Sequence, residues 1–401
     1  MDLITVKDPK GEPYSISICK GSLISGAQGE TSKATLGANQ TQIVTKTIRV
    51  STIDWPYLRS TLDIEQALKD RHGSCGSRST AICFVGVAGH ASHRDRFNPA
   101  TPYFTVDGDE TSVIHLLYRY ISGVDLVDYL TGSADGKVKP KPMSHSMIRQ
   151  LLEAVALLHG NNIVHRDLKL ENIRIEPDDN VRLIDFGEAC SVGACTFEKP
   201  IGTLLYLPPE SYSLLPKAMR IADLPSLPEA DLDAIKRDPR CIDMFSVGAI
   251  LFASVKGQQL IPYLYGKTTA DPFRQQDLQL TGSFMTNIYP KIYNEYFGKM
   301  IAWLGSSGDR DGQHLFMLIK GLVDPNYNSR LTAAAALALF DKLFPPSPPP
   351  AEKGGRRRGP YRRGTRRPRQ QQQQRQQQRQ QQQRQRQRQR QQQQTRKSFQ
   401  I

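Results

Sequence analysis

Residues 345–350 read PPSPPP, and this run most constrains what the chain can fold into. Proline has no amide donor and fixes its own φ, so neither a helix nor a strand continues through such a run. The stretch reads as a stiff spacer. Beyond it come RRRGPYRRGTRRPR and then Gln/Arg repeats. Almost nothing there is apolar, so residues 345–401 cannot bury enough surface to offset the entropy of ordering and are expected to be disordered. A packed core has to come from the first 344 residues, enough for one large domain or two of medium size.

Charge divides at the same place. The formal net charge is +14, and from Pro345 onward 15 Arg, 2 Lys and 1 Glu make +16, which leaves the body at −2. Such a tail is either simply solvated or a binder of acidic protein surfaces or nucleic acid through salt-dependent neutralisation of charge. Its aromatics, Tyr361 and Phe399, give no stacking platform for bases.

Within the body, residues 1 to about 118 read as strands joined by Gly/Ser/Asn-rich turns, with one helix from about Trp55 to Arg71. Asp54 and Pro56 mark that helix's start, because an acid and a proline suit the first turn. After Ile121 the pattern becomes helical. SHSMIRQLLEAVALLHG puts Ile148, Leu151, Leu152, Val155 and Leu158 on one helix face. An α+β body is expected, a small strand-rich unit followed by a larger helical one.

The six cysteines are scattered, so a reducing compartment without a disulfide framework is expected. Cys190 and Cys195 have no matching His or Cys pair for zinc. The charged N-terminal residues do not read as a leader, and the longest apolar run, Met244 to Val255, is too short to span a bilayer. An intracellular location, cytoplasmic or nuclear, is expected, the arginine clusters fitting a nuclear localisation signal.

The chemistry lies in VHRDLKLENIRI (164–175), where Asp167 and Asn172 flank Lys169, and in VRLIDFGEA, where Asp185 follows Asn172 by 13 residues. Two oxygen donors able to share a divalent cation, plus a carboxylate free to orient a hydroxyl, are what phosphoryl transfer from a nucleotide requires.

These segments resemble the catalytic loop and metal-binding turn of eukaryotic protein kinases. Other parts follow at compatible distances. ISGAQGET (24–31) is similar to the second half of a glycine-rich loop, with Gly26 and Gly29 letting backbone amides approach phosphates. IVTK ends at Lys46, and Glu65 lies 19 residues further on. GTLLYLPPE (202–210), IDMFSVG (242–248) and LVDPNYNSRLT (322–332) resemble the family's downstream motifs. The resemblance covers roughly residues 15–344. It implies a bilobal fold with a small strand-rich N-lobe (1–120), a larger helical C-lobe (121–344) and the tail (345–401).

It also implies roles. Asp167 would orient the substrate hydroxyl, Lys169 would steady the γ-phosphate and favour Ser/Thr substrates, and Asn172 and Asp185 would hold Mg2+ against ATP. Lys46 would hold the α- and β-phosphates, pinned by Glu65. Arg166 would contact the activation segment, and His165 would brace the loop. Tyr118 falls at the gatekeeper position, Arg119 to Ile121 would meet adenine, and Asp125 would meet the ribose. Asp243 would hold the catalytic loop, and Arg330 would pair with Glu210. Asp125 and Glu171 are either solvated acids or readers of substrate arginines, while Ala253 replaces a further acid. Thr365 and Ser398 fit phosphorylation in cis. In the activation segment, Ser191 and Thr196 could be phosphorylated, or the fixed acid Glu198 could stand near Arg166 and replace part of a phosphate's charge.

Several positions depart from the family. Ile24 replaces the loop's first glycine, Val44 replaces an alanine, Pro208 replaces another, and Arg174 stands where an apolar residue would lie beneath the purine. An unpaired buried guanidinium there would be costly; arginine can instead bury its stem and send its charge outward, or stack on the base. The resemblance therefore implies either a Ser/Thr protein kinase or a pseudokinase scaffold with an altered adenine pocket. The stretch from Ser211 to Cys241 reads as an insertion beside the substrate platform. KTTADPF (267–273) loosely resembles calcium/calmodulin-type kinases.

Overall fold

A computed structural model describes residues 2–19, 24–26, 29–72, 84–132, 136, 138–198, 201–215, 227–265 and 278–345. They belong to one compact unit, Met1–Pro346. The tail beyond residue 345 with Thr365 and Ser398, the segment 267–273 and residues 216–226 of the insertion lie outside the described residues.

The strand-rich part is β1 (Asp2–Lys7), β2 (Pro13–Ile18), β3 (Ile24–Gly26), β4 (Gly29–Leu36), β5 (Thr41–Arg49), β6 (Phe84–Gly89), β7 (Tyr103–Val106) and β8 (Val113–Arg119). Their order is β2-β1-β7-β6-β8-β5-β4-β3, and β2 also pairs with β4. That extra pairing closes seven strands into a barrel, with β3 added on β4. Closure leaves those strands without a free edge. Inside lies a small core of Val6, Ile16, Ala34, Ile43, Ala88, Phe104 and Leu117.

Helix α1 (Trp55–His72) interrupts the strands. Asp54 Oδ1 accepts the Tyr57 amide at 3.2 Å, as the acid before the first turn leads one to expect. Leu62, Ile64 and Leu68 are buried. They belong to the larger core, which runs on into the helical part.

After β8 come β9 (Val124–Asp125), α2 (Leu126–Thr131) and α3 (His145–Gly160). Ser144 caps α3 by accepting the Met147 amide, and all five apolar positions expected on its inner face are buried. Short strands β10 (Ile163–Val164), β11 (Ile173–Ile175), β12 (Val181–Leu183) and β13 (Cys190–Ser191) carry the polar loops between them. Helices α4 (Glu229–Arg237), α5 (Arg240–Lys256), α6 (Leu260–Tyr265), α7 (Leu278–Ser283), α8 (Tyr289–Ser307), α9 (Arg310–Leu322) and α10 (Ala333–Leu343) complete the unit. α5 is buried from Ile242 to Ser254, as a helix apolar on nearly all sides must be.

Cys190 and Cys195 form a disulfide with a Cα–Cα distance of 5.2 Å, where free thiols were expected. The cause is local: the Ala194 amide donates to Ser191 O, and this turn folds the chain back on itself. No described helix is long and apolar enough to cross a membrane.

Candidate active site

The loop between β10 and β11 is held from below by one buried carboxylate on α5. Asp243 accepts the backbone amides of His165 and Arg166, each at 2.8 Å, and the Nε2 of His159 at 3.0 Å. Burial works to raise its pKa, but the His159 bond, the nearby imidazoles and the loop amide together hold it below the ordinary carboxylate range. Arg166 and Asp185 both adopt positive φ, 65° and 58°. Non-glycine residues accept that conformation only where their surroundings over-determine it.

Asp167 is the centre of the loop. Its Oδ1 accepts the Thr203 hydroxyl at 2.8 Å, and its Oδ2 accepts Lys169 Nζ at 2.8 Å and Asn172 Nδ2 at 3.2 Å. Lys169 Nζ also donates to Thr203 Oγ1 at 3.2 Å. Asn172 donates to the Asp167 carbonyl at 2.8 Å as well, so its amide nitrogen is committed and its oxygen remains an acceptor. Thr203 had no assigned role in the sequence. Its signal lies in GTLLYLPPE, 36 residues from Asp167, a span too long for local spacing to connect.

Asp185 stands beside this cluster because the β11–β12 pair carries it there. The Ile184 amide donates to Asn172 O at 2.9 Å. Lys46 on β5 reaches Asp185 Oδ1 at 3.4 Å. Burial works to raise the Asp185 pKa, yet Lys46, His165 and the Gly187 amide keep it below its ordinary value, so the carboxylate is ionised at neutral pH.

The expected ion pair between Lys46 and Glu65 is not formed. Lys46 engages Asp185, while Glu65 Oε1 accepts the Tyr118 hydroxyl at 3.3 Å. Glu65 is 2% exposed and its Oε2 is buried without a partner. Desolvation, then repulsion from Asp185, pushes its pKa up to about 8 against the opposing pull of Lys46. The gatekeeper tyrosine thus takes the bond expected of the lysine.

Around the hinge, Val44 and Lys46 share a face of β5, with Val44 opposite Tyr118 on β8. Arg174 is half-buried, and its Nη2 donates to the carbonyls of Gly123 at 2.5 Å and Ile121 at 3.4 Å. The guanidinium is paired with backbone, not stranded, which removes the desolvation objection raised by its position. Asp125, expected at the ribose, caps α2 by accepting the Asp128 amide at 2.8 Å. Gly26 and Gly29 face each other across the β3–β4 pair. Gly29 has φ +123°, and a Cβ there would strike the Thr47 carbonyl; glycine is required by this approach whatever else the loop binds.

In the activation segment, Arg166 donates to the carbonyls of Glu188 at 2.6 Å and Thr196 at 2.8 Å. Tyr57 on α1 donates to Glu188 Oε2 at 2.5 Å. Burial, then that carboxylate, drives the Tyr57 phenol far above its ordinary pKa. The Glu188 carboxylate acts on Arg166, while Glu198 is exposed, although the chain passes Arg166 just before it, at Thr196 and Phe197. Deeper in the helical part, Arg330 makes a two-pronged pair with Glu210 at 2.5 and 3.0 Å, fully buried, and also donates to the carbonyls of Asp324 and Cys241.

Asn172 and Asp185 offer an amide oxygen and an ionised carboxylate, hard oxygen donors that fit Mg2+. Among the described residues, His, Cys, Asp and Glu form no cluster of three or more suited to a metal.

A family model described as "Protein kinase domain" matches residues 103–339. The chain is also similar to the phosphorylase b kinase gamma catalytic chain, liver/testis isoform, of Mus musculus, 41% identical over 103 residues, which are 25% of this chain and 25% of that protein. It is 29% identical over 236 residues to serine/threonine-protein kinase RAD53 of Saccharomyces cerevisiae, covering 57% of this chain and 24% of the relative. Serine/threonine-protein kinase PrkC of Bacillus subtilis is 35% identical over 106 residues, 26% of this chain and 16% of that protein. The chain spans about a quarter or less of the length of these three relatives. Because the matched residues make up more than half of the sequence and run from the barrel through Asp167, Asp185 and Arg330 to α10, the chain belongs to the protein kinase family and has its bilobal fold.

Proposed function

We propose that this protein transfers the γ-phosphate of ATP to Ser/Thr hydroxyls of protein substrates. The carrying observation is the Asp167 carboxylate, held on both oxygens by Thr203, Lys169 and Asn172. In this reading Asp167 orients the hydroxyl and receives its proton as the substrate oxygen attacks the γ-phosphorus. The bond to the β-bridging oxygen breaks and its electron pair leaves on ADP. Lys169 lies close enough to Asp167 to meet the transferring phosphoryl group. Lys46 would meet the α- and β-phosphates, and Asn172 and Asp185 would hold Mg2+. Bound there, the ion supplies positive charge against the β- and γ-phosphate oxygens.

The lobes are taken as residues 1–120 and 121–344. Glu171 is exposed and remains available to a substrate arginine, and Asp125 spends only Oδ1 on the α2 cap, leaving Oδ2 for the ribose or an arginine. The tail is proposed to hold an acidic partner or nucleic acid through its arginine charge.

A pseudokinase scaffold is the second reading. It is favoured by the Lys46–Asp185 pair formed in place of Lys46–Glu65, and by Arg174 occupying the Ile121 carbonyl. Equilibrium binding of Mg-ATP, with phosphate transfer to a generic basic protein, separates the two for wild type, Asp167→Asn and Arg174→Leu. Kinase chemistry predicts binding by wild type and by Asp167→Asn, and transfer by wild type alone. Binding only after Arg174→Leu would favour the scaffold.

A further inference from the structure

Helix α1 carries Glu65, yet the bond that ties its first turns to the activation segment comes from Tyr57. The Tyr57 hydroxyl donates to Glu188 Oε2 at 2.5 Å across 131 positions of sequence. Glu188 follows Asp185 by three residues, and its carbonyl accepts Arg166 Nε at 2.6 Å. The Arg166 guanidinium also faces the Tyr57 hydroxyl and the Glu188 carboxylate. Its Nη1 donates to Thr196 O at 2.8 Å, and its backbone amide is fixed by Asp243. A continuous set of hydrogen bonds therefore runs from α5 through the catalytic loop and Glu188 to α1. Eight residues further along that helix, about 12 Å of rise, is Glu65.

Two features make this set more than packing. A charge-assisted bond from a phenol to a carboxylate is short and directional, so it fixes the helix in rotation as well as in distance. Two of the guanidinium's donors go to the backbone carbonyls of Glu188 and Thr196, and the Glu188 carboxylate is one of the negative charges acting on it. The anion beside Arg166 is thus encoded in the chain.

We infer that Tyr57 and Glu188 are positioning residues that hold the first turns of α1 against the catalytic loop and the activation segment, a contact that forms without phosphorylation of that segment. This rests on the kinase reading for its kinetic consequence and stands apart from it for its structural one.

Amide hydrogen exchange of the full chain without nucleotide, followed in peptides covering α1, tests the structural half. Tyr57→Phe and Glu188→Gln should each speed exchange in α1 by about tenfold, the scale of one charge-assisted bond, with α9 and α10 unchanged. Unchanged α1 exchange, or equal acceleration everywhere, overturns the inference. For the kinetic half, Tyr57→Phe should raise the KM for ATP several-fold with a smaller change in kcat. Wild type treated with phosphatase to a mass-verified unphosphorylated state should keep its rate. Loss of that rate, restored on rephosphorylation, overturns the inference. Should wild type fail to turn over ATP, the kinase reading fails while the exchange result still decides the clamp.

Discussion

Replacing Glu65 with glutamine should change how stability depends on pH. The Glu65 carboxyl is 2% exposed, has one unpartnered oxygen, and is held at about 8 against an ordinary 4.5. An unfolded chain releases this proton near 4.5, and the folded chain near 8. Between those values the native state binds more protons, so stability falls as pH rises, by up to about 1.4 kcal/mol per pH unit. The full cost, about 5 kcal/mol, is present above pH 8 and vanishes well below pH 4.5. Glutamine keeps the shape and an acceptor for Tyr118 but cannot ionise. Urea unfolding of nucleotide-free wild type and Glu65→Gln at about pH 5.5 and about pH 7.5 should show the difference moving by about 3 kcal/mol in favour of the variant. A difference constant across that range would mean that the carboxyl is ionised throughout, as it would be if paired with Lys46, and would refute the reasoning.

Other predictions concern the frame and the loop. Arg330→Ala leaves the Glu210 carboxylate buried without its partner, and thermal or urea unfolding should register a loss of about 3–5 kcal/mol. Thr203→Ala removes the hydroxyl on Asp167 Oδ1, and steady-state kinetics should show kcat down by about tenfold, the scale of one hydrogen bond to a charged group, with folding intact. Gly29→Ala forces a Cβ toward the Thr47 carbonyl at φ +123° and should lower the urea midpoint by an amount equivalent to about 1–3 kcal/mol.

Much of the frame was legible because its signals are local. Asp54 and Pro56 announced the start of α1, and the spacing of Ile148, Leu151, Leu152, Val155 and Leu158 announced the buried face of α3. The closure of the barrel was not, since the β2–β4 pairing depends on which edges meet after the strands form. The same limit governs the site. Spacing and family likeness singled out Asp167, Lys169, Asn172 and Asp185, whose loops the β11–β12 pair brings together. The choice of Glu65's partner was hidden, because Tyr118 lies 53 positions away and competes with Lys46 through side-chain reach alone. Glu188 was hidden for a related reason: it is one acid among several in the activation segment, and its partner Tyr57 lies 131 positions away. The disulfide had a visible pair of cysteines, but composition argued for thiols, and the turn that joins them is a matter of backbone geometry.

The central claim is that Asp167 serves phosphoryl transfer to protein hydroxyls. Purified wild type and Asp167→Asn, each incubated with Mg2+ and ATP labelled at the γ-phosphate together with a basic acceptor protein, give the most direct test, read as label on phosphoserine and phosphothreonine. Wild type should label both residues, and the variant should retain ATP binding with transfer reduced by at least about a hundredfold. Equal transfer by the two proteins, or none by wild type with ATP bound, would contradict the account.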